Sequence, residues 1–333
     1  MPDRDAAAWL WLRQRIAALR PAGRPLAPTE VPAAVVRTAV VTDSASALPA
    51  EWVASCAAHG LLTVIPMPVM VGEEIYGEGE DDITETIALA LAGGKSVKTS
   101  RPSPGQFEQA FLSAERGGYE SVVSIHLSGG LSGTADAARL AAGRVKIPVE
   151  VVDSGTVGMA LGMGVQSAVA AAAAGLGAAA VRSAATGQLA RTRVYFYVPS
   201  LEQLRRGGRI GAAASLLGTM FAIKPILAVD AGRIVPLEKV RSAAKAIARL
   251  EEIAAADAKS RPDGLARLAV HHFGNPTEAE GLAARLAAEL TGIPPAQISS
   301  LPAVLAAHAG LGVLAVIVGE SAPPPADPGP LST

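Results

Sequence analysis

Cysteine is nearly missing, with Cys56 the single one in 333 residues. No disulfide can close within the chain, and no Cys/His spacing resembles a zinc site, so a reducing cytoplasm suits it and no metal or other cofactor is expected. Aromatic residues are scarce at 4%, and 29 Lys and Arg stand against 30 Asp and Glu, for a net charge of −1. That leaves neither a basic field for a phosphate backbone nor platforms for base stacking, and a nucleic-acid partner is not expected. No lysine follows the glycine turns as a phosphate-binding loop needs. No serine sits in a G-x-S-x-G turn either, because Thr134 stands where the last glycine belongs after Ser132. A long apolar span is absent too. The uncharged run from Ser154 to Val181 is dominated by Ala and Gly and interrupted by Gln166 and Ser167, which reads as close helix packing in a core.

What is present is organised around Ser121 to Ala137, SVVSIHLSGGLSGTADA. Val122 to Ile125 suits a buried strand, Gly129, Gly130 and Gly133 allow a tight turn, and Ser132 or Thr134 can cap the Ala-rich helix that follows. Free N–H groups at such a turn, with the helix dipole behind them, would hold an anion. The same kind of turn also serves α/β proteins as a plain connection.

Before this lies an N-terminal amphipathic helix, with Trp9, Leu12, Ile16 and Leu19 near one face and Arg13, Arg15 and Arg20 among its basic residues. It is too short and interrupted for a signal peptide or a membrane span. It packs on the body, docks a partner or, through residues 5–20, makes transient membrane contact. Pro21 to Pro32 reads as a linker. From Val35 the pattern is α/β, with strands ending in polar tips at Thr42-Asp43-Ser44 and Asp153-Ser154. Gly72 to Glu80 reads as a loop. Val97 to Gly105 reads as a rigid loop rich in hydroxyls, with Ser103 capping a helix that starts at Pro104. Asp230-Ala231-Gly232 reads as a hairpin turn between two strands. The tail from Ser321 is Pro-rich.

With these loops in order, the chain resembles the DegV family of fatty-acid-binding proteins over about Val35 to Gly319. The motifs are VVTDSASALP (Val40–Pro49), VIPMPVMVGEEIY (Val64–Tyr76), KTSRPSPGQF (Lys98–Phe107), LSGGLSGT (Leu127–Thr134) and VVDSGTVGMALG (Val151–Gly162). LEQLRRGGRI (Leu201–Ile210), KPILAVDAGRIVPLEKVRS (Lys224–Ser242) and HHFGNPTEAE (His271–Glu280) complete the series.

The resemblance implies two α/β domains of DegV type, 35–158 and 159–320, with a ligand tunnel between them; residues 1–34 precede them and the tail 321–333 follows. It implies a long-chain fatty acid as ligand. The carboxylate would be held by Ser100 with Thr99, by the backbone N–H groups of Ser128 and Gly129, and by His272 nearby. His126, His271 and His308 read as structural or solvated. The resemblance further implies a separate fatty acid kinase as partner, which phosphorylates the bound acid, with Arg209 at the docking surface and no catalytic residue in this chain. This sequence departs from the family pattern at Pro68, Arg101 and Gly129. The competing class is a phosphatase or acyl-ester hydrolase that uses the same anion loop, with His272 as base.

Overall fold

Val40, Val41, Val122, Val123 and Ile125 are apolar residues of high β propensity on two short runs, and these runs become the centre of a parallel sheet. The computed structural model describes residues 37–77, 83–216 and 223–321. The amphipathic helix, the linker and nearly all of the Pro-rich tail lie outside the described residues. By contacts the chain divides into 1–34 and 35–333, and the following account concerns the second unit.

In chain order the elements are β1 (Thr38–Asp43), α1 (Ala50–Ala58), β2 (Leu62–Ile65), β3 (Pro68–Val71), β4 (Glu74–Gly77), α2 (Thr84–Ala92), β5 (Val97–Thr99) and α3 (Pro104–Arg116). Then come β6 (Ser121–His126), α4 (Thr134–Ala142), β7 (Val149–Asp153), α5 (Met159–Ala173), α6 (Ala178–Ala190), β8 (Arg193–Tyr197) and α7 (Glu202–Arg206). The rest are β9 (Lys224–Asp230), β10 (Arg233–Val240), α8 (Ala243–Lys259), β11 (Ala266–His272), α9 (Pro276–Glu289), β12 (Gln297–Ser300), α10 (Ala303–Ala309) and β13 (Leu314–Glu320). The fold class is α/β, as expected. Three sheets result. One is four-stranded in the order β2-β1-β6-β7, one is six-stranded in the order β10-β9-β8-β13-β11-β12, and a small one runs β4-β3-β5.

The four-stranded sheet is parallel throughout. From β1 the chain steps to β2 on one side and later to β6 on the other, and because all four strands run the same way the polar tips of β1, β6 and β7 gather at one end. In open parallel sheets this is where ligand crevices form. The six-stranded sheet is antiparallel except for β11 and β12. Alternation divides its two faces. Leu268, Val270, Leu314, Val316 and Val318 pack against the Ala and Leu stripes of α8 and α9, while Phe196, Ala315 and Ile317 face the other way.

The uncharged run forms α5 and the first turn of α6, and the glycines of α5 let backbone and side chains close in. A Cβ on Gly162 would lie 2.5 Å from the Ser46 carbonyl oxygen, and one on Gly164 2.6 Å from Leu189. No helix among the described residues is long and apolar enough to cross a membrane.

Two expected loops differ. Glu74–Gly77 pairs with Pro68–Val71 as a hairpin, and Val97–Thr99 pairs on the other side. Their polar and glycine-rich composition hides edge strands that are exposed on one side. Ser103 does cap α3, in a reciprocal capping box with Gln106. Neither Ser132 nor Thr134 caps α4, whose N-cap is Gly133.

Candidate functional site

The free face of the six-stranded sheet does not end in solvent. Val194, Phe196, Val229, Ala315 and Ile317 form one wall of a cavity of about 880 Å³, its open mouth included. Leu127, Leu131 and Val157 come from the tips of the parallel sheet, and Val304 and Leu305 from α10. Strand alternation therefore builds an apolar trough from the same residues that build the core.

Polar groups gather on part of the wall: Thr99, Ser100, Ser132, Arg209, His271 and His308. Thr99 sits at the end of β5 and its Oγ1 is 2.8 Å from His308 Nε2. His308 Nδ1 is buried without a partner among the described residues, close against Gly207. Burial, with help from the Arg209 charge, pushes His308 down to about 4. His271 is likewise held near 4, chiefly by burial; its Nε2 accepts from the Met159 N–H at 3.0 Å and its Nδ1 lies 2.9 Å from Ser299 Oγ. Both rings are neutral at pH 7. Arg209 is then the one formal charge on the wall among the described residues. Its guanidinium is half-buried and donates to the carbonyls of Leu131 and Gly207, with no carboxylate paired to it among the described residues. An apolar trough ending in hydroxyls, neutral imidazoles and one cation matches an amphiphilic anion.

A family model described as an uncharacterised protein of the DegV family matches residues 37–320. The chain belongs to the DegV family. A DegV domain-containing protein of Streptomyces coelicolor is 45% identical over 282 residues, covering 85% of this chain and 98% of that one. Among solved structures, a DegV family protein from Thermus thermophilus, described for its fatty acid binding, is 31% identical. It has a TM-score of 0.78 and covers 86% of this chain and all of its own. DegV from Bacillus subtilis, a fatty acid binding protein, is 32% identical with a TM-score of 0.76 and the same 86% coverage.

Set against the DegV expectations, Thr99 and Ser100 line the cavity together. The other expected carboxylate ligands do not join them. Ser128 is buried, and its Oγ donates to the Gly232 carbonyl at 2.6 Å. The loop amides expected to be free are engaged: Ser128 N–H bonds Thr156 O, Gly129 N–H bonds Asp153 Oδ1, Gly130 N–H bonds Ser128 Oγ, and those of Leu131 and Ser132 bond Ser128 O. The glycine turn is thus a docking point for the β9–β10 hairpin tip, not an open anion nest. His272 follows His271 on β11 and so projects to the opposite face, where Glu280 of α9 acts on it and burial lowers its pKa. A one-residue step flips a strand side chain across the sheet, so His271 takes the cavity position. Arg209, expected at a docking surface, lines the cavity, while Arg205 and Arg206 are exposed and paired with Glu202. His308 was missed because its partner, Thr99, is 209 residues away in sequence.

Proposed function

We propose that this protein binds a long-chain fatty acid, with the acyl chain in the trough and the carboxylate at Thr99, Ser100, Arg209 and His308, and presents it to a separate fatty acid kinase. The observation that carries this reading is the half-buried Arg209 guanidinium, unpaired by any carboxylate among the described residues, at the polar part of an otherwise apolar cavity. A carboxylate there receives charge-assisted hydrogen bonds, each worth roughly 1.5–3 kcal/mol. A sixteen-carbon tail gains on the order of 11 kcal/mol from burial. Association costs of roughly 4–15 kcal/mol leave binding tight yet reversible. The two relatives described above as fatty acid binders support the ligand class. Membrane contact through residues 5–20 would serve loading, and transfer rates from anionic vesicles with and without residues 1–30 test it.

A hydrolase reading draws on Ser124, His126 and Asp43, which have the connectivity of an acyl-transfer triad: Ser124 Oγ to His126 Nε2 is 2.6 Å and His126 Nδ1 to Asp43 Oδ2 is 2.9 Å. All three are 0% exposed, and the Phe107 ring stands edge-on to the imidazole. Asp43 also accepts from the Leu127 and Ala45 N–H groups. The arrangement ties β1 to β6 beneath the cavity and offers no reachable nucleophile, which favours holding over hydrolysis. Incubating fatty-acid-loaded protein with ATP and a fatty acid kinase tests the presentation step: acyl-phosphate forms if the reading holds. Ester turnover by the protein alone would replace it with the hydrolase.

A further inference from the structure

Arg101 is exposed, and among the described residues no carboxylate pairs with it. It directly follows Ser100, a cavity-lining residue, and its side chain lies over Gly133, where an added Cβ would be 2.6 Å from Nη1. Arg209 sits on the same loop from within, donating to the Leu131 carbonyl at 3.1 Å. Leu131 and Gly133 are two residues apart, so the backbone seats of the two guanidiniums are at most about 7 Å apart. Two like charges held on one short segment, with no carboxylate partner among the described residues, repel each other unless an anion bridges them.

We infer that Arg101 and Arg209 together recognise a phosphorylated head group, so that the acyl phosphate formed from the bound fatty acid is retained more tightly than the acid itself. The inference rests on the fatty-acid reading above. A carboxylate seated by Thr99, Ser100, Arg209 and His308 leaves the exposed Arg101 largely screened by solvent. A phosphoryl group attached to that carboxylate extends one bond further and brings two negative charges and three acceptor oxygens. Guanidinium forks are suited to such a group. Arg101 therefore discriminates between acid and product, while Arg209 serves both.

The test compares a long-chain fatty acid with the 2-oxoalkylphosphonate of matching length, in which a methylene replaces the bridging oxygen of an acyl phosphate. Both are titrated against the full-length wild type and Arg101→Gln, with thermal melts to confirm folding. The wild type should favour the phosphonate by roughly ten-fold, the scale of one charge-assisted contact, and the preference should shrink in high salt. Arg101→Gln should lose most of that preference while its fatty acid affinity stays within about two-fold. Equal affinities in the wild type, or a preference that survives in Arg101→Gln, overturn the inference and leave the fatty-acid reading standing. Failure of the wild type to bind either ligand overturns both.

Discussion

Ser100 and Arg209 occupy the same wall but hold an anion by different physics. The serine offers one hydroxyl and sits exposed, so Ser100→Ala should weaken fatty acid binding about ten-fold and leave the fold intact. Arg209→Ala removes the only cation among the described lining residues and should cost about ten- to a hundred-fold. Titration with a labelled fatty acid ranks the two, and an unchanged affinity in Arg209→Ala would return that arginine to the outer surface. At this scale the sequence was half legible. Thr99 and Ser100 are adjacent and rich in donors, and their motif marks them. The choice between His271 and His272 depends on strand phase, which two neighbouring histidines do not reveal.

Among the elements, the β9–β10 hairpin tip and the glycine turn after β6 meet through Ser128 and Gly232. Ala231 and Gly232 both have positive φ, at 44° and 76°, and their tight turn carries the Gly232 carbonyl onto the turn. A Cβ on Gly130 would stand 2.5 Å from that carbonyl oxygen. Gly130→Ala should therefore destabilise the protein by about 1–3 kcal/mol, seen as a lower urea midpoint with an unchanged slope. A midpoint equal to the wild type would show that the hairpin can back away freely. The sequence displays the hairpin and the glycine turn separately and correctly as turns. It does not display their contact, because the Ser128–Gly232 bond spans 104 residues and uses a backbone carbonyl that no side-chain pattern marks. Of the amides that seem free in the sequence, those of Ser128 and Gly129 are taken by Thr156 and Asp153 on the next strand's tip, and those of Gly130, Leu131 and Ser132 fold back onto Ser128. By contrast, the Ser103–Gln106 capping box is local and is legible as written.

Taken as a whole, the molecule buries neutral histidine where its sheets and α5 meet. His271 takes a proton near 6.5 when unfolded and near 4 when folded, because burial opposes the charge. The unfolded state therefore binds more protons between these values. The stability this group supports is full above about pH 6.5 and is lost as pH falls toward 4, on the order of 3 kcal/mol in all. Urea unfolding across that window should show His271→Gln with a shallower pH dependence than the wild type, whereas parallel curves would remove His271 from the account.

The central claim, that the trough holds a long-chain fatty acid, is tested most directly by mass spectrometry of ligand extracted from freshly purified full-length protein. The account predicts close to one long-chain fatty acid per chain, retained through gel filtration. A preparation that is folded by thermal melt, yields no fatty acid and takes up none when offered would contradict it.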